Sequence, residues 1–147
     1  RIKKLSGLNN NINTINCSNN LIKSLNKLPN KLNKLNCSHN SIKTLDNLPE
    51  NIKILECKWN FIVELKNLPI GLEQLDCSYN RLVNLDYLPE SIIKLNCSHN
   101  KIISLDNLPI NIEILICNHT NITQLNNLPK KISILDISSN KNFTKYN

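Results

Sequence analysis

Residues 72–91 read LEQLDCSYNRLVNLDYLPES, and this 20-residue pattern recurs along the chain without an insertion or a deletion. Counted from its first leucine, the consensus is L-x-x-L-x-C-S-x-N-x-I-x-x-L-x-x-L-P-x-x. Six repeats carry a cysteine at position 6: Cys17, Cys37, Cys57, Cys77, Cys97 and Cys117. The same six carry a proline at position 18: Pro29, Pro49, Pro69, Pro89, Pro109 and Pro129. One such unit is too short to bury its own apolar residues, so the repeats must stack and share one core.

The repeats fill the chain, and we expect a single domain over residues 1–147. Six full repeats span residues 12–131, and residues 1–11 are the second half of a preceding repeat. Residues 132–147 open a seventh repeat and then leave the pattern, because Asn142 replaces the position-11 isoleucine. We expect this tail, with Phe143 and Tyr146, to cap the open end of the stack. The chain starts at Arg1 and contains no Met, so we expect it to be a fragment of a longer product.

The segment around positions 3–7 alternates like a short strand, which predicts that Leu75 and Cys77 point inward while Gln74, Asp76 and Ser78 point outward. Identical 20-residue offsets place these strands side by side, parallel and in register, ~4.8 Å apart. The Leu-Pro pair favours an extended return segment and excludes a long helix there. The sequence therefore predicts a curved solenoid with a parallel concave sheet and an extended, helix-poor convex side.

The composition excludes two other classes of protein. With 40% apolar and 20% charged residues, the chain is too hydrophobic for a disordered tail. No apolar run approaches the roughly 18 residues that a membrane-spanning helix needs.

The motif L-x-x-L-x-C-x-x-N-x-I matches the leucine-rich-repeat signature. Its 20-residue length and its Leu-Pro pair resemble the short bacterial type of repeat found in secreted effectors such as the Yop and Ipa families. The Cys-Ser-x-Asn variant in an Asn-, Lys- and Ile-rich chain also resembles repeats encoded by AT-rich giant viruses of amoebae. The resemblance implies the α/β-solenoid class, here mostly β.

Two columns of the repeat predict structural ladders. The position-6 cysteines allow disulfides on distance alone, but in-register side chains fit the disulfide torsion poorly, and Ile137 takes the same place in the seventh repeat. We therefore expect buried reduced thiols. Reduced thiols indicate a reducing compartment, which is the cytoplasm of the cell that makes the protein or, for an effector, the cytoplasm of a host. Position 9 holds amides that we expect to bridge neighbouring turns, with Thr120 as the break. The predicted amide ladder is Asn20, Asn40, Asn60, Asn80, Asn100 and Asn140.

Position 8 is the column that favours binding, because the only Trp and all three His fall in it. A tolerant, exposed turn site is the alternative interpretation. Outward strand positions add an acidic pair and several isoleucines, including Ile134 at the C-terminal end, where polar residues are expected. The predicted partner-binding residues are His39, Ile54, Glu56, Trp59, Asp76, Tyr79, His99, Ile114, Ile116 and His119.

Other chemistry has weaker support. His99 and His119 sit on adjacent repeats, but two exposed His without a third ligand make a poor metal site, and we expect no metal and no cofactor. No thiol lies beside a His and no glycine-rich phosphate loop is present, so we expect no enzyme. Residues 1–50 carry 8 Lys/Arg against 2 Asp/Glu, which could attract a nucleic acid. Six of these bases (Lys3, Lys4, Lys23, Lys27, Lys31 and Lys43) lie mostly outside the strand segment, so we expect them to spread over a solvated surface.

The predicted function is a non-enzymatic module that binds a protein partner through the concave face, as a monomer or with weak self-association. Two alternatives stay open. One is binding of a nucleic acid or another anionic surface through the basic N-terminal repeats. The other is a structural or self-assembling element, because both ends of a solenoid expose sheet edges.

Overall fold

A computed structural model describes residues 1–141, which form one parallel sheet built from a single strand per repeat. Neighbouring strands pair in chain order with the register set by the repeat, so that Ile15 lies opposite Leu35 and Leu35 opposite Leu55. No helix occurs in residues 1–141. The seven strands are β1 (Thr14–Asn16), β2 (Lys34–Asn36), β3 (Ile54–Glu56), β4 (Gln74–Asp76), β5 (Lys94–Asn96), β6 (Ile114–Ile116) and β7 (Ile134–Asp136). The predicted solenoid with a parallel sheet and no helical convex side is confirmed.

Each strand is shorter than predicted, because it covers positions 3–5 rather than 3–7. Hydrogen bonds between repeats nevertheless continue beyond it, from Cys57 N to Asp76 O at 2.8 Å and from Trp59 N to Ser78 O at 3.1 Å. Ser78 lies on the same side as Asp76, as predicted, because its Oγ donates to Asp76 Oδ1 at 2.6 Å, but its side chain is buried. The backbone then turns at position 8, where φ is positive.

The core is one continuous cluster formed by the same repeat positions in every turn. In the third repeat, Leu55, Cys57 and Ile62 are fully buried, each in line with its counterparts in neighbouring repeats. Burying an aliphatic side chain of this size contributes about 1.5–3 kcal/mol, so a column repeated along the solenoid dominates its stability.

All six cysteines are buried and free, and their thiols point into this core as predicted. Burial raises the pKa of the Cys17 thiol to about 11 and that of Cys117 to about 12. Burial also raises the pKa values of the four central thiols, and more strongly. A thiol held neutral in this way packs as a small apolar side chain and is a poor nucleophile.

A second ladder of backbone hydrogen bonds holds the segment that follows each turn. The position-10 N–H donates to the position-11 carbonyl of the preceding repeat, as from Phe61 N to Ile42 O at 2.9 Å and from Arg81 N to Ile62 O at 2.9 Å. From Ile22 to Ile122 the position-11 side chain is buried, while the side chains on either side of it are not. The described residues contain no helix long and apolar enough to cross a membrane. The predicted cap with Asn142, Phe143 and Tyr146 lies outside the described residues.

Candidate partner-binding surfaces

The position-9 asparagines occupy the inside of each turn and satisfy its backbone, as predicted. Asn60 is buried; its Nδ2 donates to Cys37 O at 3.1 Å and to Cys57 O at 3.0 Å, and its Oδ1 accepts from Ile42 N at 2.9 Å. One amide therefore links two consecutive repeats, and the geometry recurs at Asn40 and Asn100. These side chains are structural, because buried backbone groups require such partners.

Thr120 breaks this ladder in the way that its shorter side chain dictates. Its Oγ1 lies 2.6 Å from Asn140 Oδ1 in the next repeat and 3.0 Å from Cys117 O in its own turn, and its single proton can be donated to only one of them. Within the described chain, the bond that an asparagine would accept from Ile102 N has no counterpart, and Cys97 O loses its donor from the following repeat. The sixth turn is therefore the least well satisfied, which agrees with the prediction from sequence.

The position-8 side chains form one stack of rings along the edge of the sheet. The ring centroids of His39 and Trp59 lie 5.6 Å apart, and the planes differ by 14°. The following three pairs are tighter: Trp59 and Tyr79 at 4.1 Å, Tyr79 and His99 at 4.0 Å, and His99 and His119 at 4.2 Å. Since the backbone hydrogen bonds repeat at every rung, they hold the rings at this spacing, and each ring covers the face of its neighbour.

Every position-8 residue adopts a left-handed backbone conformation. The φ angle is 54° at Trp59, 54° at Tyr79 and 52° at His99. Left-handed conformation costs a residue with a Cβ roughly 1–2 kcal/mol, and an aromatic pair returns about 0.5–1.5 kcal/mol. Stacking thus offsets much of the strain. Asn, which tolerates this conformation, supplies it at position 16, as at Asn47 and Asn67, but at position 8 rings occupy five consecutive repeats.

The histidine end of the stack differs electrostatically from the rest. Burial, and second the neighbouring His119, lower the pKa of His99 below its usual value. The His119 Nδ1 lies 3.3 Å from Asn118 Oδ1. Parallel imidazoles direct their nitrogens side by side rather than toward one point, and no group of three metal-binding side chains occurs in residues 1–141.

The outer face of the sheet contains a separate groove of about 260 Å³ that crosses β2–β6. Five of the predicted binding residues line it: Ile54, Glu56, Asp76, Ile114 and Ile116. Glu56 makes an ion pair with Lys34 at 3.2 Å and accepts from Asn36 Nδ2 at 2.8 Å. Asp76 accepts from the backbone and side chain of Ser78. The groove therefore carries its two carboxylates on β3 and β4, between Lys34 on β2 and Lys94 on β5, and it is apolar at its β6 end, where isoleucines replace polar residues.

The predicted binding residues thus divide into two surfaces. The other five (His39, Trp59, Tyr79, His99 and His119) form the ring stack and do not line the groove. Glu56 and Asp76 therefore lie on a different surface from Trp59 and Tyr79, because the strand ends at position 5 and the chain turns at position 8. Stacking also leaves mainly the ring edges free, with the Trp59 side chain 49% exposed.

One row of lysines was not predicted from the sequence. Lys3, Lys23 and Lys43 all occupy position 12, so they lie in one row on adjacent repeats instead of being scattered. Lys3 and Lys23 line a shallow depression together with Leu21 and Ser41. The signal was present in the 20-residue spacing of these lysines.

A parallel solenoid with one three-residue strand, one turn amide and one Leu-Pro pair per 20 residues defines a leucine-rich-repeat protein. No family model matches the chain, and no curated protein sequence is significantly similar to it. Solved structures are similar to it over 80–94% of its length, and they support a leucine-rich-repeat protein of the short bacterial type.

Three of these structures come from bacterial pathogens. The leucine-rich-repeat domain of a Shigella effector is 35% identical, with a TM-score of 0.74 over 80% of this chain and 54% of that one. YopM from Yersinia enterocolitica is 30% identical, with a TM-score of 0.72 over 90% of this chain and 34% of that one. The functional domain of InlJ from Listeria monocytogenes, described as including a cysteine ladder, is 26% identical, with a TM-score of 0.80 over 94% of this chain and 32% of that one. The chain thus spans about half of the Shigella domain and a third of the other two chains.

Proposed function

We propose that this chain is a non-enzymatic interaction module that holds a protein partner against the outer face of its sheet. The observation that carries the proposal is the groove over β2–β6, with three isoleucines at strand positions that face outward. Ile54, Ile114 and Ile116 are half-buried there, beside an acidic pair. An exposed apolar cluster framed by charge is typical of a contact surface.

The effector repeats to which the chain is similar support a protein partner as the general class. Rigidity supports it as well, since every strand is fixed to its neighbours by backbone bonds and side-chain amides. A preformed surface loses little entropy when it binds, which favours affinity from a modest contact area. The buried neutral thiols and the solvated carboxylates offer no activated nucleophile, so the proposal includes no catalytic step. The free, buried thiols support a reducing compartment as part of the proposal, the cytoplasm of the source cell or of a host.

The ring stack forms the second part of the proposed contact. Its faces are covered, but the edges present the Trp59 indole N–H, the Tyr79 hydroxyl and imidazole nitrogens in a fixed row. Such edges suit hydrogen bonds to an extended partner segment. The proposal therefore assigns apolar anchoring to the groove and polar contacts to the stack.

The test is affinity capture with three matched variants, followed by direct binding of the captured protein. The groove variant Ile114→Lys with Ile116→Asn gives β6 the residues that β5 carries, Lys94 and Asn96, so the fold tolerates it. The control Ile70→Asn with Ile110→Lys copies position 19 of other repeats, Asn30 and Lys130, with the same change in charge. The stack variant is Trp59→Ala with Tyr79→Ala.

We expect the groove variant to lose at least about tenfold in affinity and the control to bind like the wild-type chain. A smaller loss in the stack variant would assign polar contacts to the ring edges. If the groove variant and the control bind equally well, the outer face of the sheet is not the contact surface.

A further inference from the structure

The side chains at positions 10 and 12 form a second outward-facing surface, which we call the basic-apolar flank. It lies on the extended segment that follows each turn, where the position-11 side chain is buried from Ile22 to Ile122 and its two neighbours are not; in the first, partial repeat Ile2 is itself exposed. One backbone hydrogen bond per repeat, such as Lys101 N to Leu82 O at 2.8 Å, keeps the segments parallel. The flank is therefore a regular face that runs the length of the stack.

The flank contains no acidic residue, although the chain has 11 Asp and Glu. Between residues 1 and 123, its basic members are Arg1, Lys3, Lys23, Lys43, Arg81 and Lys101. Its apolar members are Leu21, Phe61, Val63, Val83 and Ile103. Only Ser41, Asn121 and Thr123 are neutral and polar. The three ion pairs of the described chain involve Lys34, Lys53 and Lys66 and none of these bases. Two carboxylates, Asp86 and Asp106, lie beside the apolar half, where they line a depression with Val83 and Ile103.

The basic end of the flank is a row of like charges. Lys3, Lys23 and Lys43 occupy the same position in adjacent repeats, which spaces their backbones about 4.8 Å apart. Like charges this close repel one another unless an anionic partner lies over them. Lys3 and Lys23 already frame one depression with Leu21, so the ammonium groups and an apolar side chain share one surface.

The same row becomes apolar in the next three repeats. Val63, Val83 and Ile103 follow the lysines at position 12, with exposed fractions of 51%, 51% and 62%. Phe61 lies beside them, and the Arg81 guanidinium stands 4.6 Å from the centre of its ring. A continuous row of exposed aliphatic side chains is unusual on a free surface.

We propose that the basic-apolar flank docks onto an anionic lipid surface, independently of the groove. Lysines attract anionic headgroups, and aliphatic and aromatic side chains enter the boundary between headgroups and acyl chains. A lipid surface fits better than an acidic protein, because the flank is an extended row that offers few groups for directed hydrogen bonds, and the one depression that Val83 and Ile103 line is open. It fits better than a nucleic acid, because half of the row is aliphatic and has no partner on a phosphate backbone.

The test is flotation with vesicles of phosphatidylserine and phosphatidylcholine, against vesicles of phosphatidylcholine alone. We expect the chain to float only with the anionic vesicles and to dissociate as salt is raised. Lys3→Gln with Lys23→Gln and Lys43→Gln should lower partitioning on the order of 100-fold, since each base near such a surface contributes about fivefold. Val63→Thr with Val83→Thr and Ile103→Thr, which copies Thr123, should lower it about tenfold.

The matched control is Lys27→Gln with Lys31→Gln and Lys130→Gln, which removes the same charge from other faces and should lower partitioning less than about fivefold. Circular dichroism checks that each variant is folded. The proposal is overturned if the chain does not float with anionic vesicles, or if the control loses as much as the flank variant. Retention on immobilised polyglutamate without flotation also overturns it and assigns the flank to an acidic protein.

Discussion

Positions 8 and 9 of the repeat are adjacent in every turn, yet different interactions determine which residues occupy them. At position 9, Asn60 is buried and each polar atom of its side chain bonds to backbone. At position 8, Trp59 is exposed, its backbone is left-handed and its side chain contacts mainly the rings above and below. The backbone therefore determines which residue can occupy position 9, whereas neighbouring side chains determine position 8. Changes at position 9 should be more harmful, and four predictions test this difference.

The largest effect is expected for Asn60→Ala. Cys37 O and Cys57 O keep bonds from Asn40 and Asn80, but the buried Ile42 N–H loses its only acceptor. An orphaned buried donor costs about 1–3 kcal/mol, and the lost amide contacts add to it. We expect the free energy of unfolding to fall by about 3 kcal/mol in urea denaturation followed by circular dichroism.

The matched control for that change is Asn60→Thr, because the chain itself carries threonine at this position in Thr120. A hydroxyl at residue 60 can still donate to Cys57 O, as the Thr120 hydroxyl can to Cys117 O. The loss should be clearly smaller than with alanine. Equal losses for both variants would show that the space filled by the amide, and not its hydrogen bonds, stabilises the turn.

Thr120→Asn is expected to have the next largest effect, in the opposite direction. The longer amide can accept from Ile102 N and donate to Cys97 O, which restores the two links between repeats that the sixth turn lacks. Each buried hydrogen bond contributes about 1 kcal/mol, so we expect a gain of about 1–2 kcal/mol in the same urea experiment. Hydrogen exchange at Ile102 should slow in parallel, and an unchanged rate there would contradict the account.

Sequence alone predicted the position-9 ladder well, and the reason is physical. An asparagine at the same turn position of successive repeats indicates hydrogen bonds to the turn backbone, because buried backbone groups must be satisfied. Thr120 has no amide, so its turn could be identified as the least well satisfied. The inward direction of the cysteines could be predicted from the alternation of side chains along a strand. The lack of a helix in the return segment could be predicted from its proline. The strand length could not be predicted in this way, because the backbone turns left-handed at position 8, although five of the residues there are of types that rarely adopt this conformation.

The candidate surfaces were predicted less completely. The groove residues Ile54, Glu56 and Ile116 could be assigned to one face because strand alternation holds through position 5. The separation of the groove from the position-8 ring stack could not be predicted, since it depends on where the turn begins. The basic-apolar flank was missed although its spacing is visible, because Lys3 and Lys43 were counted as charges rather than compared at one repeat position.

At position 8, replacement of Tyr79 should separate stacking from strain. Tyr79→Ala removes ring contacts at 4.1 and 4.0 Å but keeps the left-handed strain, so we expect a loss of about 1–2 kcal/mol. Tyr79→Gly removes the same contacts and relieves the strain, so it should be about 1 kcal/mol more stable than the alanine variant. Urea denaturation followed by circular dichroism measures both. Alanine more stable than glycine, the usual order in extended chain, would contradict the left-handed turn.

The smallest effect concerns the protonation of His99, which tests whether the rings act as one stack. Burial first, and the adjacent His119 second, lower the pKa of His99 below 6.5, so the folded state binds fewer protons than the unfolded chain. Stability should therefore decline as pH falls from about 6.5 through the folded pKa, by less than about 1 kcal/mol because solvent screens this half-exposed ring. His119→Asn, which copies Asn19 at the same position, removes both the neighbouring charge and part of the cover, so the His99 pKa should rise toward its ordinary value. NMR titration of the His99 ring protons measures this directly. A midpoint that does not move in the variant would mean that the two imidazoles titrate independently and that stacking in this part of position 8 has no energetic consequence.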